Sequence, residues 1–262
     1  MAWMLGFAQM RRVIAVDGTF LKSKYERVLL SAVAQDTENH VFPMAFCVVD
    51  KECDASYKFF EQMRSFVDDT KELCIISDRH PSIKKAVSIV FPLSHYGCCM
   101  KHLGENLRTT FHNTKVVSQF YKAAKSYNID EFNDHFNQIR DTVPGAAEHL
   151  ERVGFHRWSR VFFPGNRYNL MTSNIAESVN SMFNVEREFP ITALFDAINR
   201  RFAENFMRGV WSSSTHQTSL FLQLKKNFKI CQLGEQVISP SNSQLQVQRH
   251  RSRCSCDNRS AK

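Results

Sequence analysis

The chain changes character near Leu103. Before that point, short runs of apolar, often β-branched residues alternate with turn residues and with stretches of helical spacing. Beyond it no strand pattern returns, and apolar residues recur every three or four positions. A chain patterned this way is neither all-helical nor all-β: its first hundred residues must build a sheet, and the rest must pack as helices around or beside it.

Val13–Val16 is a β-branched run closed by the turn signal Asp17-Gly18, Val28–Ala34 is closed by Asp36–Asn39, and Val41–Val49 is closed by Asp50. Such short connections favour an antiparallel meander. Tyr57, Phe60, Met63 and Val67 then mark a helix over Ser56–Val67. Leu73–Ser77 is a fourth strand ending in Asp78, Pro81 opens a helix whose apolar face is Ile83, Val87 and Val90, and His95–Cys99 is a fifth strand. The result is a mixed α/β sheet. Asn106–Arg160 reads as helical throughout, interrupted at Pro144-Gly145, and Pro164-Gly165-Asn166 forms a loop. Helices resume over Thr172–Val185, Ile191–Trp211 and Thr218–Phe228, and the Gln-, Ser- and Arg-rich tail from Gln232 is expected to be disordered.

Composition excludes several classes. With 43% apolar and 23% charged residues the chain is globular, and 34 Lys+Arg against 26 Asp+Glu leave a net charge of +8 that suits a polyanionic partner. No stretch reaches the roughly 18 apolar residues of a membrane helix, so no membrane is expected. Met1–Met10 are uncharged and Arg11-Arg12 follow them, the reverse of a secretory signal. The eight scattered cysteines are therefore expected to be reduced thiols inside the cell.

Asp17 and Asp78 each close a predicted strand, where a rigid backbone fixes a side chain and a loop leaves it accessible. If those strands are neighbours, both carboxylates share one spot, and a divalent cation relieves their repulsion. Glu177 lies mid-helix beside an apolar face of Ile175, Val179 and Met182. Taken singly, these acids are as readily a turn cap, a helix cap and a solvated charge.

Their flanking sequences change that balance. Val13-Ile14-Ala15-Val16-Asp17-Gly18-Thr19-Phe20-Leu21-Lys22 resembles the first-Asp motif of the Mutator-like element (MULE) transposases, and Ile75-Ile76-Ser77-Asp78-Arg79-His80-Pro81-Ser82-Ile83 resembles their second. Tyr96–Leu103 resembles the Cys-x-x-His segment that follows, and Asn166–Ser178 is similar to the block holding the catalytic Glu. The acids stand 61 and 99 residues apart, and the likeness extends over about residues 10–230. It implies a ribonuclease-H-like mixed sheet with a large all-helical insertion and a helical C-terminal region. It also implies DDE-type DNA strand cleavage and transfer, with Asp17, Asp78 and Glu177 as catalytic residues holding two Mg²⁺ (or Mn²⁺) ions. Partners would be DNA, at transposon ends or elsewhere in the genome, and a further copy of the chain; the compartment would be the nucleus.

On the same resemblance, residues 1–11 are an N-terminal remnant and 12–103 the first part of the core. Residues 104–165 are the helical insertion, 166–230 complete the core with the catalytic Glu, and 231–262 are a disordered basic tail with a partial SWIM motif. Cys99 and His102 have the spacing of half a zinc site, but no second Cys/His pair lies nearby. The alternatives are a buried thiol with a hydrogen-bonded histidine at a strand end, or a His102 contact to DNA phosphate or the metal shell. Arg79 is a further near-site candidate. Trp158 is expected to pack in a core, with stacking on an unpaired base as the sharper alternative. Cys254-Ser255-Cys256 resembles the first half of a SWIM finger, but the chain stops at Lys262, so zinc is not expected. With sixteen residues before Asp17, the chain is expected to be a transposase core, active or truncated. The competing expectations are a domesticated, non-catalytic DNA-binding regulator of the far-red-impaired-response type and an inactive remnant.

Overall fold

The computed structural model describes residues 10–22, 27–49, 55–78, 80–207 and 231–232. Strands β1 (Met10–Phe20), β2 (Val28–Asp36) and β3 (Val41–Val49) form the expected antiparallel meander. Helix α1 (Ala55–Arg64) leads to β4 (Cys74–Ser77), α2 (Pro81–Val90) and β5 (His95–Cys98). β4 pairs parallel with β1 and β5 parallel with β4, while the two-residue β6 (Cys231–Gln232) pairs parallel with β3. The order β5-β4-β1-β2-β3-β6 makes the sheet mixed, with β1 flanked by one antiparallel and one parallel neighbour.

β1 does not stop at Asp17-Gly18. It runs through them, with Asp17 opposite Ser31 and Gly18 opposite Leu30. Asp-Gly is a turn signal only when tertiary pairing does not claim it. Here the nine-residue β2 pairs alongside, and a Cβ on Gly18 would come within 3.1 Å of the Leu30 and Val28 side chains. Asp17 is thus interior to β1, but it lies one step beyond the last parallel pair, Val16 with Ser77.

Period-two alternation sends Ile14 and Val16 to one face of the sheet and Val13, Ala15 and Asp17 to the other. The first face is covered by α1 and α2, through Phe59, Phe60, Met63, Ile83, Val87 and Phe91. On the second face Ala15, Leu29, Val33, Phe46 and Val48 meet Ala176 and Val179 of α8 (Asn174–Ser181) and Leu194, Phe195 and Ile198 of α9 (Ile191–Met207). Toward β5 the same face holds Val13, Cys74, Ile76, Cys99 and Phe163. Burial of both faces explains why β1 and β4 read as continuous apolar runs.

The stretch expected to be one interrupted helix is five: α3 (Met100–Phe111), α4 (Thr114–Lys125), α5 (Ile129–Thr142), α6 (Pro144–Val153) and α7 (Phe155–Trp158). Two asparagines and Gly154, which has a positive φ between α6 and α7, make the unforeseen breaks. Asn113 Oδ1 accepts the Lys115 and Val116 N–H groups at 3.0 and 3.2 Å after a left-handed His112, and Asn128 Oδ1 accepts the Glu131 N–H at 2.8 Å. The expected interruption at Pro144 is present: Val143 is extended, and Pro144 occupies the first turn of a new helix, α6. These helices enclose a core of Leu103, Leu107, Phe120, Phe132, Phe136, Leu150 and Trp158. The expected Thr172–Val185 helix is shorter, α8 alone followed by a 3₁₀ turn at Glu186–Glu188. No described helix is long and apolar enough to cross a membrane. The expected Thr218–Phe228 helix, Arg79, Cys254 and Cys256 lie outside the described residues.

Candidate functional site

Asp17 and Asp78 are brought side by side by strand order. β4 lies next to β1, and Ile76 shares the face of Val13, so continuing the alternation by two residues places Asp78 on the face of Asp17. α8 lies against that face. Its Asn180 donates from Nδ2 to Asp17 Oδ2 at 3.0 Å, a buried bond, while Asn180 Oδ1 is buried without a partner. Burial pushes the Asp17 carboxyl up from 3.8 to about 6, the Asn180 bond opposes this, and the charges of Glu177 and Asp78 raise it further while His102 lowers it. Three acids from β1, the end of β4 and α8 therefore act on one another. Asp78 also accepts the His80 N–H at 3.3 Å, and its carbonyl accepts the Tyr96 hydroxyl at 2.7 Å, which ties the strand end to β5.

Glu177 lies in the first turn of α8, not mid-helix, and faces the start of α3. Lys101 donates to its Oε2, His102 Nε2 is 3.8 Å from Oε1, and Ser173 Oγ lies 3.5 Å from Oε1. α3 begins at Met100 instead of Asn106, so Cys99 is a helix N-cap residue and His102 sits one turn in. Two bonds fasten this start to the segment entering α8: Met100 N–H to Met171 O at 2.8 Å and Ser173 N–H to Cys99 Sγ at 3.3 Å. Burial would raise the Cys99 thiol, but hydrogen bonding by the His102 side chain and Ser173 outweighs it and the thiol is lowered. The same Cys99 contact, opposed by burial and aided by the charges of Cys99, Glu177 and Asp17, lifts His102 to about 9. At neutral pH His102 is therefore a cation among acids.

Arg167 supports the loop from behind. Its Nη2 donates to Cys98 O and its Nη1 to Arg157 O, both at 3.2 Å, and it lies where a Cβ on Gly97 would come within 3.1 Å of Nη2. Any larger residue there would have to displace the guanidinium by a few tenths of an ångström.

Trp158 does not join the site. It is fully buried, Nε1 donates to Leu150 O at 3.1 Å, and Phe120, Phe132, Phe136 and Phe155 surround it, so no ring face is open to a base. Cys99 and His102 do join it, as helix-start groups. Cys98, one residue earlier, points into the separate helical core. Sequence reasoning missed Asn180, Lys101 and Ser173. Asn180 carried a signal, since it lies three residues after Glu177 and so on the same helical face.

The site thus belongs to a mixed α/β domain that gathers acids on one face of its sheet. Residues 13–106, from β1 to mid-α3, match the family model of the MULE transposase domain, and the matched span includes Asp17, Asp78, Cys99 and His102. The match indicates a transposase-family function, with DNA as partner and the divalent-metal requirement usual for such domains. Glu177 lies beyond it. No curated protein is a significant match to the chain.

Proposed function

We propose that the chain is a ribonuclease-H-like, DDE-type transposase domain that cleaves and joins DNA strands with Asp17, Asp78 and Glu177. The observation that carries this reading is geometric: Asp17 on β1 and Asp78 at the end of the neighbouring β4 lie under α8, which bears Glu177 and whose Asn180 bonds Asp17, although 160 residues separate Asp17 from Glu177. The sheet order, with an antiparallel meander whose first strand is extended by the parallel strands β4 and then β5, supports the fold. Residues 104–165 then form the helical insertion, and a nuclear location follows from the DNA substrate.

The donor set fits Mg²⁺, or Mn²⁺: three carboxylates give all-oxygen ligation, and the proton affinity of Asp17 is raised by burial and, less, by the Glu177 and Asp78 charges, which a cation would offset. When bound, a pair of such ions activates a water or 3′-hydroxyl and stabilises the leaving oxygen. The chain's own groups orient and balance charge. Asn180 fixes the Asp17 carboxylate, Lys101 and His102 hold Glu177 from α3, and the partly exposed Lys101 ammonium is placed to meet a DNA phosphate.

Plasmid nicking in Mg²⁺ or Mn²⁺ tests this. Asp17→Asn, Asp78→Asn and Glu177→Gln should each abolish cleavage, and undiminished cleavage in one removes that residue from the role. One observation favours the non-catalytic regulator instead: Lys101 and His102 already neutralise Glu177. That reading predicts DNA binding without nicking and no rise in melting temperature with Mg²⁺.

A further inference from the structure

We propose that Cys99, His102 and Glu177 form a second kind of metal site, one for a thiophilic divalent cation such as Zn²⁺. Their donor atoms lie within 4.8 Å of one another. A thiolate sulfur, an imidazole nitrogen and a carboxylate oxygen suit Zn²⁺, whereas Mg²⁺ selects oxygen alone.

The local fold explains the convergence. Cys99 caps α3 and His102 is three residues on, a spacing that puts both on one side of the first turn. Glu177 arrives from α8, and the Met100–Met171 and Ser173–Cys99 bonds hold the two helix starts together. The Ser173 N–H supports charge on the sulfur. Lys101 engages Glu177 Oε2 and leaves Oε1 toward His102, whose Nε2 is 3.8 Å away. Ligands of a tetrahedral ion with bonds of about 2.0–2.3 Å sit roughly 3.3–3.8 Å apart, so a group whose donors all lie within 4.8 Å of one another needs to draw in by at most about 1–1.5 Å.

An independent observation points to a ligand: His102 Nδ1 is buried and has no hydrogen-bond partner. Buried imidazole nitrogens are ordinarily bonded, and one left open on a histidine grouped with a thiol and a carboxylate is available to a cation. Three protein donors leave a fourth position for water, the pattern of an exchangeable site rather than a closed structural one.

Sequence locality hid this arrangement because the third donor is 75 residues beyond His102. Glu177 is common to this site and to the three-carboxylate set. If the strand-cleavage reading holds, on which this clause alone rests, a soft ion here withdraws Glu177 from the acids and inhibits.

Co²⁺ is the probe, added to the full-length, metal-free chain in a Cys254→Ser/Cys256→Ser background that removes the tail thiols. Expected are a thiolate-to-Co²⁺ charge-transfer band and tetrahedral visible bands at one ion per chain, displaced by Zn²⁺. Both should vanish in Cys99→Ser and in His102→Gln, weaken at least tenfold in affinity in Glu177→Gln, and persist in Asp17→Asn. Melting curves of the metal-free variants identify any that fail to fold, and the partly exposed His102 keeps the test decisive if Cys99→Ser does. Absence of the band in the parent chain, or a band unchanged by Cys99→Ser or His102→Gln, overturns the proposal. Nicking measured on the same proteins separates the two readings: a band without cleavage sinks the carboxylate mechanism alone, and cleavage without a band sinks this site alone.

Discussion

The helical core around Trp158 and the acid site beneath α8 are built on opposite terms. In the first, Phe120, Phe132, Phe136, Phe155 and Phe162 pack against one another and Trp158 in edge-on, tilted and stacked pairs, and the single indole donor is satisfied. In the second, a buried carboxylate feels two more acids, and both Asn180 Oδ1 and His102 Nδ1 lack partners. The helical core lowers the energy of the fold, and the site spends some of that gain on groups held against their preference. Conflict of this kind marks functional sites, because groups at electrostatic ease have little left to offer a ligand.

The comparison breaks most readily by mutation of the acids. Asp17→Asn, Asp78→Asn or Glu177→Gln should reduce metal-dependent nicking to background while leaving the circular dichroism of the fold intact. Next in size, Trp158→Ala should cost roughly 3–5 kcal/mol of unfolding free energy through the cavity it leaves, read by denaturant titration. A much smaller loss would mean that the helical core is not the stabilising half of the molecule.

Asp17→Asn should also stabilise the metal-free chain. The folded state holds the Asp17 proton up to about pH 6 and the unfolded state only up to 3.8, so stability falls as pH rises through that window. A shift of about two units costs up to about 3 kcal/mol at neutral pH, which the amide avoids. The melting temperature of Asp17→Asn should therefore exceed wild type at pH 7 and converge with it near pH 4. His102 carries the opposite sign. Its raised value, about 9, contributes stability that is complete below 6.5 and lost as pH rises through 9, so the gap between wild type and His102→Gln should close by pH 10 in melting curves. The smallest effect belongs to a helix boundary: Asn113→Ala should cost about 1 kcal/mol with no change in metal response.

Legibility in the sequence tracked how local the cause was. β3 has the predicted limits, and α2 begins at the predicted Pro81, because alternation, β-branching and proline geometry act within a few residues. Gly18 misled for the converse reason: its conformation is set by pairing with β2, not by the Asp-Gly dipeptide. The breaks at Asn113 and Asn128 were written in the chain as N-cap residues, but a continuous helical spacing concealed them. Trp158 could be assigned to packing from its apolar company, whereas Lys101 looked like any solvated lysine until α8 was in place.

The sequence by itself determined the strands of the sheet to within a few residues, the mixed α/β class and the motifs inside the span matched by the MULE transposase model, since these depend on spacing, propensity and short-range order. Only the tertiary structure decided that β4 lies beside β1, that Glu177 meets Lys101 and His102 across two helix starts, and that Asn180 holds Asp17. Those meetings join residues up to 163 positions apart, and a contact at that distance follows from which surfaces bury one another, not from what any one segment prefers.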